Sequence, residues 1–260
     1  MIRGGVIVGL LAAAAVQSKP QQKPEAPKEP DDIADVPSKD FRCGKNEKQR
    51  YFLIGPRKDV KPPKDGFGLL VVMPGGDGLA DFLAFVKRIA KNAAGDGYVV
   101  AEPVAVRWTK SQEIIWPTKK NPAAKMEFTT EEFVDAVIAD AAKQQKIDPK
   151  KVYTLSWSSS GPAAYAIALR EKTPVRGSFI AMSVYNKGSP AADRRGEGAP
   201  VLFAAFARRR RVQVLVRRGC QERLGGRGGE GRAREIRRGH GWHGPVFPMI
   251  KKGIEWLEKQ

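Results

Sequence analysis

The residues able to do chemistry sit in three short stretches far apart in the chain: LSWSSSGPAAY at residues 155–165, MPGGDG at 73–78 and RGHGWHGPVF at 238–247. The first sets serine hydroxyls in a turn between an apolar run and a helix-forming segment. Strand, sharp turn and helix are the layout of a nucleophile elbow, in which the turn lifts a hydroxyl over a sheet and the helix N-terminus faces developing negative charge. Laying Gly-x-Ser-x-Gly on it makes Ser158 the nucleophile, with Trp157 at the first variable position and Ser156 and Ser160 where small glycines belong. The other register, centred on Ser159, puts Trp157 where a tiny residue is needed. A serine-rich helix start also serves as a plain N-cap, so the elbow reading leans on the other two stretches.

MPGGDG follows the apolar run GLLVVM (68–73). A glycine turn there supplies a backbone N–H to an oxyanion, and the residue after the nucleophile supplies a second, which makes Gly76 and Ser159 the candidate donors. An ordinary tight turn is the plain alternative. His240 and His243 are the only histidines. Both follow the last expected strand and precede the last helix, where the chain order serine, acid, histidine places its base. His240 is read as the base and His243 as a rim residue.

The elements that must position these residues alternate. Apolar runs at 68–73, 98–104 (YVVAEPV), 152–156 (VYTLS), 178–184 (SFIAMSV) and 200–205 (PVLFAA) read as strands. Leu79 to Ala94 and Phe133 to Ala142 place apolar residues at helical steps. TTEE (129–132) opens the second helix with a capping box, Thr129 capping and Glu132 reaching back, and the helix ends before Asp148-Pro149. Alternation with continuous apolar strands predicts an α/β domain, a mostly parallel, doubly wound sheet with helices on both faces and its site beyond the carboxyl ends of the strands.

Residues 1–17, with one early arginine, a short apolar run and small residues at Ala13 and Ala15, read as a signal peptide; an uncleaved anchor is the alternative. The expected chain is therefore secreted or periplasmic, without stable membrane insertion after cleavage. Residues 18–41 carry five prolines and alternating charge and read as a disordered linker, leaving 42–260 as the domain. Cys43 and Cys220 allow at most one disulfide.

PGGDG, KIDPKKVYTLSWSSSGPAAY and GHGWHGPVF with the later GIEWL together resemble secreted phospholipase/carboxylesterase-like and dienelactone-hydrolase-like members of the α/β-hydrolase superfamily, over residues 50–200 and 239–260. The resemblance implies the α/β-hydrolase fold and a Ser-acid-His esterase acting on a small ester, with no metal, no organic cofactor and no nucleic-acid partner. It implies that Ser158 attacks, His240 moves the proton, and the Gly76 and Ser159 N–H groups hold the oxyanion. The family's elbow reads Gly-Trp-Ser-Ser-Gly-Gly or similar, so Ser156 and Ser160 depart from it in a direction that adds strain. Trp108 and Trp116 either line the substrate pocket or pack in the core.

In such enzymes a later strand ends in a motif like His-Ser-Pro-Asp-Asp, whose aspartate orients the base. This chain has AAFARRRR (204–211) instead, so the acid expected near Arg208–Arg210 is absent. Asp193, Glu222, Glu230 and Glu235 are nearby acids, and none falls at a strand end. Read one base later, codons permitted for Ala205 to Arg210 spell His-Ser-Pro-Asp-Asp. The same shift at Glu235 to Arg238 permits Lys-Tyr-Asp-Gly. Both ends fit one alternative frame, which points to residues 200–238 being read out of frame, with the frame restored near Gly239 and the C-terminal strands disrupted. Residues 208–238 hold twelve arginines against three glutamates, half of the net charge of +18. The alternative is a noncatalytic, secreted, basic protein binding polyanions through this segment. Its lack of Lys, Tyr and Trp argues against a nucleic-acid arm.

Overall fold

Phe67–Met73 is buried at every position, which only a strand covered on both faces allows; it forms β3, at the middle of the sheet. The computed structural model describes residues 30–44, 46–183, 201–204, 241–242 and 244–260. The expected signal peptide, half of the expected linker, the arginine-rich segment and both histidines lie outside those residues.

Seven strands make one sheet in the order β1-β2-β4-β3-β5-β6-β7. They are β1 (Ser38–Arg42), β2 (Arg50–Ile54), β3, β4 (Tyr98–Pro103), β5 (Ile147–Trp157), β6 (Gly177–Ala181) and β7 (Val201–Ala204). β1 and β2 are antiparallel to each other and β2 is antiparallel to β4, whereas β4, β3, β5, β6 and β7 run parallel. The alternation read from the sequence is thus a doubly wound sheet. On one face lie α2 (Thr130–Gln144) and α3 (Gly161–Ala168), on the other α1 (Leu83–Ile89) and α4 (Val246–Leu257).

Local chemistry explains the helix ends. Thr129 accepts a hydrogen bond from the Glu132 N–H at 3.1 Å, and Glu132 accepts one from the Thr129 N–H at 2.8 Å, the capping box expected there. Phe133, Val134, Val137, Ile138 and Ala141 are the buried stripe of α2. The helix expected over 79–94 is broken into a 3-10 turn at Ala80–Phe82, then α1, then a π turn at Ala90–Ala94. α4 crosses close over β6, because a Cβ at Gly253 would come within 3.0 Å of the Phe179 ring.

Two corrections concern the N-terminal side. Strand β2 was not anticipated. The linker does not run to residue 41: a 3-10 turn at Asp31–Ile33 precedes β1, whose residues Ser38 to Arg42 pair with Ile54 to Arg50. The physical reason is burial. Ile33 and Val36 are at most 2% exposed, and Asp32 and Asp35 meet Arg88 and Lys91 at 2.6 Å. Two apolar anchors within four residues fix a proline-bearing segment that composition alone reads as solvated.

Candidate active site

The neighbouring strands β3 and β5 lead to opposite faces of the sheet, β3 into α1 and β5 into α3. Their carboxyl ends therefore open a crevice at a topological switch point. The loop after β3 is Pro74–Gly78 and the turn after β5 is Ser158–Ser160, so two of the three stretches singled out from the sequence meet there.

Ser158 has a φ of +57°, between an extended Trp157 and a helical Gly161. An L-residue held there costs about 1–3 kcal/mol, and such outliers persist where the surroundings over-determine them. Two close approaches do so. A Cβ on Gly161 would lie 2.0 Å from Ser183 Oγ, and one on Gly75 would lie 2.7 Å from the Trp157 carbonyl oxygen and ring. Gly75 and Gly161, not the two positions flanking Trp157-Ser158-Ser159, are the glycines this elbow needs. Both were visible as glycines in the sequence, but their contacts depend on β3, β5 and β6 being side by side.

The serines at the expected glycine positions behave differently from each other. Ser160 is fully buried; its hydroxyl lies 2.7 Å from the Met73 carbonyl oxygen and accepts the Trp157 N–H at 3.1 Å. It ties the end of β3 to the elbow, so the expected strain does not arise there. The Ser156 hydroxyl is buried with no hydrogen-bond partner among the described residues. Leaving a hydroxyl unmade costs about 1–3 kcal/mol. Ser156→Ala is expected to raise the unfolding free energy by about 1 kcal/mol in urea titration; a loss of stability would show that the hydroxyl has a partner after all.

Gly76 has a φ of +61°, and the Gly78 N–H donates to the Gly75 carbonyl at 3.1 Å. With φ positive at Gly76 and not at Asp77, residues 75–78 form a type II′ turn, whose first central position favours glycine. The Gly76 N–H has no hydrogen-bond acceptor among the described residues. The turn is held from three sides. Ser159 donates through Oγ to the Gly76 carbonyl at 2.8 Å, the Ala105 N–H donates to the Gly78 carbonyl at 2.9 Å, and Trp116 Nε1 donates to the Pro74 carbonyl at 3.0 Å.

Of the two tryptophans weighed as pocket residues, Trp116 is 2% exposed and supports this turn. Trp108 stacks edge-on to Phe128, with Lys48 over its ring. The crevice between them is about 10 Å³, room for no more than a single water. The aromatic wall nearest the elbow lies on the other face: Phe82, Phe85 and Trp242 each have ring centroids within 5.7–5.9 Å of Trp157. Phe82 also sits 3.3 Å from where a Gly76 Cβ would be. Sequence reading missed this wall, because its members are far apart in the chain.

His240, His243 and the region of the expected acid, with Asp193, Glu222, Glu230 and Glu235, fall outside the described residues. Among those described, no group of three His, Cys, Asp or Glu side chains stands close enough to hold a metal ion. No described helix is long and apolar enough to cross a membrane.

No protein-family model matches the chain, and no curated protein matches it. Among solved structures it is similar to a bacterial heroin esterase at 16% identity, over 60% of this chain and 47% of the other, with a TM-score of 0.43. A thermostable esterase from Pseudomonas putida aligns at 14% identity over 59% of this chain and 46% of its own, with a TM-score of 0.41. A hyperthermophilic esterase from the archaeon Pyrobaculum calidifontis aligns at 17% identity over 61% and 50%, with a TM-score of 0.42. The chain spans about half the length of each. At such distances it is the strand order, the doubly wound layers and the serine turn after β5 that define the class: the domain has the α/β-hydrolase fold.

Proposed function

We propose that this domain is a serine hydrolase scaffold for carboxylic esters, of the carboxylesterase-like or dienelactone-hydrolase-like kind. The observation that carries the reading is the backbone of Ser158, held at positive φ at the carboxyl end of β5, with the next residue, Ser159, bonded to the glycine turn at Gly76. In this reading Ser158 Oγ attacks the ester carbonyl while His240 takes its proton. The Gly76 and Ser159 N–H groups bind the tetrahedral oxyanion. The C–O bond to the alcohol then breaks, the imidazolium returns its proton to the leaving alcohol, and water releases the acyl group by the same route. His240 is assigned as base from its place in the chain, after the last strand and before α4.

The proposal includes export of the chain and an out-of-frame origin for residues 200–238, which removes the acid that orients the base. The polyanion-binding alternative rests wholly on that segment.

Prolonged incubation with an excess of an alkyl fluorophosphonate, followed by peptide mass analysis, tests the nucleophile. The adduct is expected on Ser158 and is expected to vanish in Ser158→Ala. An adduct on Ser159 in the parent chain, or no adduct at all, would sink the assignment.

A further inference from the structure

Three consecutive serines form the turn, and the hydroxyls of the last two tie it to different parts of the neighbouring strand and loop. Ser160 joins the elbow to the end of β3, and Ser159 joins it to the glycine turn one loop further on. The two candidate oxyanion donors belong to Gly76 and Ser159, the same two residues that the 2.8 Å bond from Ser159 Oγ to the Gly76 carbonyl links. That bond sets how far apart the two donors stand.

We infer that the Ser159 hydroxyl is a positioning residue for oxyanion binding, clamping the Gly76 turn at the spacing that lets both N–H groups reach one oxygen. This rests on Ser158 being the nucleophile. Two physical consequences support it. An oxyanion site works only when its donors stand about 2.7–3.1 Å from the oxygen that develops, and a turn whose first central residue is glycine resists displacement weakly. The Gly76 carbonyl also faces the elbow. Left without a donor, its partial negative charge would oppose the oxyanion, and the Ser159 proton covers it. Ala105 and Trp116 act on Gly78 and Pro74, and the Gly78 N–H holds the Gly75 carbonyl, so Ser159 is what holds the next peptide, between Gly76 and Asp77, and through it the orientation of the turn.

The test is the rate of Ser158 phosphonylation by an alkyl fluorophosphonate, across reagent concentrations, in the parent chain, Ser159→Ala and Ser159→Thr. Thermal unfolding and amide exchange at residues 75–78 are followed in parallel. Ser159→Ala is expected to slow the saturated rate by about tenfold to a hundredfold, the scale of a donor misplaced by about 1 Å. Half-saturation and unfolding should stay put, and exchange at Gly78, whose N–H closes the turn on the Gly75 carbonyl, should quicken. Ser159→Thr keeps the hydroxyl and is expected to restore the rate. Equal rates in parent and Ser159→Ala overturn the inference while leaving the nucleophile standing. Equal slowing in the alanine and threonine variants also overturns it, since side-chain size would then be the cause. Absence of any Ser158 adduct in the parent removes the nucleophile and the inference with it.

Discussion

Turnover of a short acyl ester such as p-nitrophenyl butyrate by this chain is expected to equal that of its Ser158→Ala variant. The elbow and the glycine turn are assembled, but the position where the resemblance expects the acid is arginine. A triad base without its acid loses the partner that fixes its tautomer, and such losses cost about 10⁴ in rate. The complementary result has the opposite sign. Replacing residues 205–238 with the text of the alternative frame is expected to raise kcat/KM by about 10⁴, all of it abolished by Ser158→Ala. Ready serine-dependent turnover by the chain as it stands would show that another acid serves, and would remove the reason to invoke a shifted frame. Sequencing the coding DNA across these codons gives an independent reading of the same question.

The second large effect concerns stability. Glu102, in β4, is fully buried, and neither carboxylate oxygen has a hydrogen-bond partner among the described residues. Phe52 stands opposite it on β2, and its same-face strand neighbours Val100 and Val104 belong to the apolar cluster under α1 and α4. Burial alone pushes its carboxyl up to about 9. The folded protein therefore keeps this proton until about pH 9, while the unfolded chain releases it near 4.5. Between those values the folded state binds more protons than the unfolded one, so stability falls as pH rises. The loss relative to acid is about 3 kcal/mol at neutral pH, a large share of a typical domain's about 5–15 kcal/mol.

Glu102→Met, close in volume and apolar, is expected to recover about that amount at neutral pH and to flatten the slope. Urea unfolding of both chains at about pH 5 and about pH 8 measures the difference in slope directly. The window avoids Asp32 and Asp35, whose carboxyls are held low by Arg88 and Lys91 and titrate at acid pH, and Cys43, whose thiol is pushed up to about 12 by burial. Parallel slopes in the two chains would mean that the Glu102 carboxylate finds a partner or water when ionised.

Much of the architecture was legible because its signals are local. The capping box at Thr129 and Glu132 lies within four residues, the apolar runs that became β3 to β7 are continuous, and Ser158 is marked by the small residues around it. What went unread depends on partners distant in the chain. Composition made residues 30–41 look like linker, because nothing within them says that β2 offers an open edge or that Ile33 and Val36 have a cleft to fill. The sequence leaves Trp116 open between pocket and core, and nothing near it in the chain says that its indole holds the Pro74 carbonyl.

The sequence by itself determined the class of fold and the serine turn that follows β5, since both are written in residue types at short spacing. Only the tertiary structure decided which glycines the elbow requires, that Ser159 clamps the turn carrying Gly76, and that Glu102 is left alone among apolar side chains. Close approach, hydrogen-bond partnership and desolvation are properties of pairs. The members of these pairs stand on different strands and loops, and only the folding of the sheet brings them to within a few ångströms of one another.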